Sequence, residues 1–204
     1  MNSDSFKNKI VISVIGDREV GKTSLLNSLI FPEIINNNTY IKTIGCDIRF
    51  FTDNENSLVI KFFDFGFFDL QTNVEQIKQF AQISSFIFYI INSNIEKLDY
   101  INKFSGLFKQ NKIILILNQN SKNNKLSLDS EKIKHIIEKY KIINSYETTC
   151  FNRQNINNLK ENLITLIKDY IEKKEIKNEE YFNINPELNY KTRIKNQNKI
   201  SCFS

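Results

Sequence analysis

Apolar residues in this chain fall in short runs separated by polar turns, and the period of each run predicts an element. Ile10 to Ile15 is an apolar, β-branched run interrupted only by Ser13, which reads as a strand buried on both faces. Leu25, Leu26, Leu29 and Ile30 then repeat at helical spacing until Pro32 ends the helix. Phe31 to Lys42 is a polar loop. Thr43–Thr52 and Leu58–Phe63 read as a strand pair joined by the turn-forming Asp53-Asn54-Glu55-Asn56, with Asp64 closing the second strand. Val74, Ile77, Phe80 and Ala81 predict a helix, Ser85–Ile91 a buried strand, and Leu98, Ile101, Phe104 and Phe108 a further helix. Lys112–Leu117 predicts a strand ending at Asn118. Beyond the polar loop Gln119–Ser127, Ile133, Ile136, Ile137 and Tyr140 predict a helix, and Ile142–Thr148 a weaker strand. Ile156, Leu159, Leu163, Leu166, Ile167 and Tyr170 mark a long last helix.

Strands alternating with helices predict an α/β domain: a mostly parallel six-stranded sheet with helices on both faces. The antiparallel pair, Thr43–Thr52 with Leu58–Phe63, belongs near an edge. Ligands of such sheets lie beyond the C-terminal ends of the strands. Gly16, Asp64, Asn118 and Thr149 all fall at those ends. Residues 1–8 read as a short disordered lead, 9–174 as one domain, and 175–204, where periodicity is lost, as a flexible tail.

Composition changes this picture little. The 204 residues carry a formal net charge of +5. Acids and bases are interspersed, which is too mild and scattered a charge for a nucleic-acid partner. The basic part of the tail, Lys191, Arg193, Lys195 and Lys199, suggests at most weak contact with an anionic membrane. Cys46, Cys150 and Cys202 are odd in number and form no CxxC pair, which suits a reducing compartment. His135 is the sole histidine, so no His/Cys zinc site is expected. The polar N-terminus predicts no signal peptide, the apolar runs are too short to span a bilayer, and Asn2 excludes N-myristoylation. His135 and Tyr140 read as structural.

The candidate chemistry lies between the first strand and the first helix. Two of the chain's five glycines stand there, in the pattern Gly16, four residues, Gly21-Lys22-Thr23. This is the phosphate-binding P-loop spacing. A helix N-terminus offers unpaired backbone N–H groups and a dipole that favour an anion, and the glycines permit turns and close approach. Lys22 would reach the β- and γ-phosphates, and the Thr23 hydroxyl would bind Mg2+.

With these residues in view, residues 8–173 resemble a Ras-superfamily small GTPase, with local wording closest to the Rab branch. Gly16 to Leu26 resembles that family's P-loop. Tyr40-Ile41-Lys42-Thr43-Ile44-Gly45-Cys46-Asp47-Ile48 resembles the Rab switch I and its following strand. Lys61-Phe62-Phe63-Asp64 resembles the strand that ends at the metal-holding aspartate. Asn118-Gln119-Asn120-Ser121 stands at the guanine-reading N-K-x-D motif, and Glu147-Thr148-Thr149-Cys150-Phe151 at E-T-S-A-K. The resemblance implies a P-loop NTPase G-domain fold that binds GTP or GDP with Mg2+. It implies nucleotide contacts from Gly16, Arg18, Glu19, Val20, Gly21, Lys22, Thr23, Ser24, Tyr40, Thr43, Asn118, Gln119, Thr149 and Cys150. Thr23, Thr43 and Asp64 would form the metal set, with Asp64 acting through water. Effector proteins and an exchange factor would bind the switch regions of a monomer. The expected place is the cytoplasm, peripherally on the cytosolic face of an internal membrane, in vesicle traffic.

The departures cluster on catalysis and base recognition. Phe67 stands where the family has its γ-phosphate-sensing glycine, with Gly66 a substitute if the loop is one residue shorter. Phe68 stands at the water-orienting glutamine, and phenylalanine can neither donate nor accept a hydrogen bond. Arg18 takes the place of a small residue, where it would crowd or neutralise the γ-phosphate. Gln119 and Ser121 replace the lysine and aspartate of the guanine motif, which weakens discrimination against adenine. Cys202-Phe203-Ser204 lacks one residue for a prenylation box. The expectation is therefore a nucleotide switch with slow or absent unassisted hydrolysis and no confident catalytic residue. The alternatives are a pseudo-GTPase scaffold, whose Phe63, Phe65, Phe67 and Phe68 are a partner patch or a plug, and a P-loop ATPase.

Overall fold

The structure, a computed structural model, describes residues 8–31, 43–66, 74–92, 112–119, 130–150 and 153–173. Residues 1–7 of the expected lead, the helix carrying Leu98 to Phe108, the tail from residue 175, and Tyr40, Phe67, Phe68, Ser121 and Phe151 lie outside them, whereas Asn8, read as the end of that lead, is already in a strand paired with Leu58.

In chain order the described elements are β1 (Asn8–Gly16), α1 (Lys22–Ile30), β2 (Cys46–Asp53), β3 (Leu58–Phe65) and α2 (Val74–Ile83). They continue with β4 (Phe86–Ile91), β5 (Lys112–Gln119), α3 (Ser130–Tyr140), β6 (Asn144–Thr149) and α4 (Ile156–Lys173). The strands form one six-stranded sheet in the order β2-β3-β1-β4-β5-β6. All pairings are parallel except β2 with β3, which sits at the edge as expected.

The pleat of β1 divides the interior in two. Ile10, Ile12 and Val14 face a core closed by Leu25, Leu26 and Leu29 of α1 and Leu159, Leu163 and Ile167 of α4. Val11 and Ile15 face the opposite core, closed by Phe80 and Ala81 of α2 and Ile136 of α3. Fully burying a Leu, Ile or Phe side chain stabilises by roughly 1.5–3 kcal/mol, so a doubly covered central strand anchors the sheet. Ser13 is the buried polar residue of β1, and its hydroxyl pairs with that of Ser84 at 2.8 Å.

Every strand departs from the sequence reading at one end or both, and three of the shifts bear on the site or the sheet edge. β2 begins at Cys46, not Thr43, because Gly45 takes a left-handed conformation (φ 76°) that interrupts the extended chain. β3 runs through Asp64 to Phe65, paired throughout with β2, since Phe65 is itself a buried apolar residue. β6 starts later, at Asn144, because Ile142 and Ile143 precede the ladder. The turn between β2 and β3 is as expected: Asp53 Oδ1 accepts from the backbone N–H of Asn56 at 3.2 Å.

Strand order reverses about β1: the chain passes from β1 to β3 on one side and then to β4 on the other. This is the topological switch point at which open α/β sheets bind ligands. The loop after β1 opens directly onto it.

Candidate functional site

The loop Gly16–Gly21 is shaped by its two glycines. Gly16 has φ 156°, and a Cβ there would lie 2.3 Å from the Ile90 carbonyl oxygen. Gly21 (φ 86°) forms the N-cap of α1 in the left-handed region. No side chain caps this helix and its first turn holds no acid. An uncapped N-terminus with no competing carboxylate in its first turn favours an anion.

Lys22 secures the loop from inside. Its ammonium donates to the carbonyls of Gly16 (3.0 Å) and Asp17 (2.8 Å). These bonds use two of its three N–H donors, leaving the third for a ligand. Burial lowers its pKa from 10.5 to about 8, against the raising influence of Asp64 and Asp17. Phosphate oxygens are the counter-charge that would restore it.

Beside Lys22 the expected metal set assembles. The Thr23 hydroxyl donates to Asp64 Oδ2 at 2.7 Å and lies 2.9 Å from the Thr43 hydroxyl. These residues come from α1, the end of β3 and the segment before β2. Asp64 is fully buried, and its Oδ1 has no hydrogen-bond partner. Desolvation raises its pKa, opposed by the Thr23 hydrogen bond and the charges of Arg49 and Lys22. A buried carboxylate oxygen without a partner is costly unless something else satisfies it. Two hydroxyls and one carboxylate form the hard, all-oxygen donor set that Mg2+ takes alongside phosphate and water. The residues present therefore fit the ion.

Asn118, the penultimate residue of β5, is fully buried. Its Nδ2 donates to the Val20 carbonyl at 2.8 Å, and its Oδ1 accepts from Cys150 Sγ at 3.2 Å and Thr148 Oγ1 at 3.5 Å. Asn118 thus ties the ends of β5 and β6 to the phosphate loop. Burial pushes the Cys150 thiol up to about 12, so it is a packing and hydrogen-bonding group and not a nucleophile. Thr149 is buried, and its N–H donates to the Gln154 carbonyl. Gln119 and Thr149 are register partners at the end of the β5–β6 ladder.

Other expected residues sit differently. Arg18 and Glu19 are exposed and pair with each other at 3.0 Å. Glu19 adopts φ 60°. The N–H of Gly66 donates to the Gly45 carbonyl at 2.8 Å, tying the residue after β3 to the one before β2. Phe63 and Phe65 are buried against Phe80, with ring centroids 4.6 and 5.2 Å away, which makes them core and not a surface patch.

Sequence reasoning missed Arg49. Its Nε lies 3.6 Å from Asp64 Oδ2, and its Nη2 lies 3.6 Å from Asp47 Oδ2. Its Nη1 donates to Asn27 Oδ1 at 2.7 Å. The signal was present in the strand period: Asp47 and Arg49 share one face of β2, and Asp47 stands directly opposite Asp64.

No family model and no curated protein matches this sequence. Solved structures do match. One is the RocCORdC form of Roco2 from Methanosarcina barkeri, bound to GDP, with a TM-score of 0.57 and 19% identity over 78% of this chain. The match covers 49% of that structure, so the likeness spans about half its length. At this identity the likeness carries the fold alone: a mostly parallel sheet with one antiparallel edge pair and helices on both faces.

Proposed function

We propose that this chain is a guanine-nucleotide switch that holds GTP or GDP with Mg2+ and hydrolyses GTP slowly without assistance. The observation that carries the reading is the meeting of Thr23, Thr43 and Asp64 beside Lys22 at the switch point of the sheet. In this reading the α1 N-terminus and the third donor of Lys22 bind phosphate oxygens. Thr23, Thr43 and Asp64 would hold Mg2+, which would supply positive charge to the phosphates. Thr43 lies between the P-loop helix and β2, where a hydroxyl that engages or leaves the site reports which nucleotide is present. The GDP held by the Roco2 structure supports guanine as the base.

Slow hydrolysis follows from Phe68, which cannot orient a water. The Rab-like wording of Thr43-Ile44-Gly45-Cys46-Asp47 supports a finer reading: effectors and an exchange factor bound through the switch segments, on the cytosolic face of a membrane, in vesicle traffic. The test is to purify the full chain without added nucleotide, denature it, and identify what is released. GTP is the expected product. GDP would mean that hydrolysis proceeds by another route. A folded chain that releases nothing and binds neither GTP nor ATP would overturn the reading in favour of a nucleotide-independent scaffold.

A further inference from the structure

Asp47 and Asp64 stand directly opposite each other across the β2–β3 ladder. Like charges so placed repel, and Asp64 is fully buried. Arg49 lies within 3.6 Å of both carboxylates, held by Asn27 of α1. Yet Arg49 Nε makes no hydrogen bond, and neither does Asp64 Oδ1. The guanidinium therefore supplies charge to Asp64 at ion-pair distance without occupying the oxygen that faces away from Thr23. A cation so placed neutralises the carboxylate when no metal is present and repels a divalent ion that binds the same carboxylate.

We infer that Arg49 is a resident cation that competes with Mg2+ for Asp64, keeping the metal-free site folded and setting the Mg2+ concentration at which nucleotide is locked in. This rests on the nucleotide-switch reading above. In the wild-type chain Arg49 supplies part of the counter-charge that a metal would otherwise bring to Asp64. Removing that charge has two opposite consequences: the metal-free protein becomes less stable, and the loaded protein takes Mg2+ more tightly. A single and a double positive charge within about 10 Å of each other repel strongly enough, even at an effective dielectric constant of about 20, to shift Mg2+ affinity by at least about tenfold.

The experiment has two arms, both on the full chain. In EDTA without nucleotide, thermal melting of wild type, R49Q, D64N and the double variant reads the coupling between the two side chains. R49Q is expected to lower Tm, and much less so when Asp64 is already Asn. If R49Q alone does not fold, recovery of folding in the double variant reads the same coupling. Additive effects would overturn the inference. In the second arm, release of fluorescent GDP is followed while MgCl2 is titrated. The midpoint for R49Q is expected at least about tenfold below wild type, with R49K, which keeps the charge, close to wild type. Equal midpoints for wild type and R49Q, or equal shifts in R49Q and R49K, would overturn the inference and leave the nucleotide site standing. A chain that retains no nucleotide at any MgCl2 concentration would overturn the proposed function, and the inference with it.

Discussion

Thr23 Oγ1 donates to Asp64 Oδ2 at 2.7 Å, joining residues 41 positions apart at the first turn of α1 and the end of β3. The bond orients one carboxylate oxygen and leaves the other without a partner in a fully buried position. Oriented and half-satisfied, Asp64 is the carboxylate on which the proposed Mg2+ site depends.

D64A is accordingly expected to abolish the Mg2+ dependence of nucleotide retention while leaving much of the phosphate contact in place. Charge-assisted interactions of this kind are worth roughly 1.5–3 kcal/mol, so release of fluorescent GDP in Mg2+ should quicken by about one to two decades. In EDTA, D64A and wild type should release nucleotide at similar rates. Equal Mg2+ dependence in the two proteins would show that Asp64 holds no metal.

Much of this arrangement was legible in the chain. The P-loop spacing, the buried β1 run and the edge pair all follow from period and glycine placement, and Thr23, Thr43 and Asp64 meet as the motifs imply. What the pattern could not supply was register. Asp64 read as the close of the second strand, but β3 continues to Phe65 since the ladder to Cys46 is intact. Arg49 belongs to none of the motifs, so nothing in them singled it out. Only the pairing of Asp47 with Asp64 shows why a cation is held there. Gly66 likewise read as a loop residue, and its bond to Gly45 depends on where β2 begins.

Asn118 offers a second test, because its role here is mechanical. N118A removes the donor to the Val20 carbonyl and the acceptor for Cys150 and Thr148. Leaving such buried groups unsatisfied costs about 1–3 kcal/mol each. Urea unfolding without nucleotide should therefore show a clear loss of stability, and nucleotide affinity should fall with the loosened loop. An unchanged urea midpoint would mean that Asn118 acts on the base alone.

G16A probes the loop from the other side. The added Cβ would meet a backbone oxygen of β4 at 2.3 Å, and backbone cannot turn aside as a side-chain end can. Overpacking of this kind typically costs 1–3 kcal/mol, roughly the range expected in urea unfolding, and the φ of 156° adds strain. The displaced loop should also lose the Lys22 bond to the Gly16 carbonyl, so phosphate binding should weaken beyond what lower stability explains. A variant with wild-type stability would show that β4 yields at Ile90.

Lys22 links stability and binding through pH with opposite signs. In the folded, nucleotide-free chain its pKa falls from 10.5 to about 8, chiefly by desolvation. Below about 8 both folded and unfolded chains carry the proton, and Lys22 gives stability no pH dependence. Between about 8 and 10.5 the unfolded chain binds more protons, so the Lys22 contribution to stability rises with pH across that window. Binding runs the other way. Phosphate favours the charged ammonium, so above about 8 nucleotide binding must take up a proton, and affinity should fall by up to about tenfold per pH unit. K22M removes both effects. Melting curves and fluorescent-nucleotide titrations from pH 7 to 10, on wild type and K22M, compare the two slopes directly. If wild-type affinity stays flat while K22M binds far more weakly, Lys22 keeps its proton throughout, and its burial is offset by more than the two carbonyls it holds.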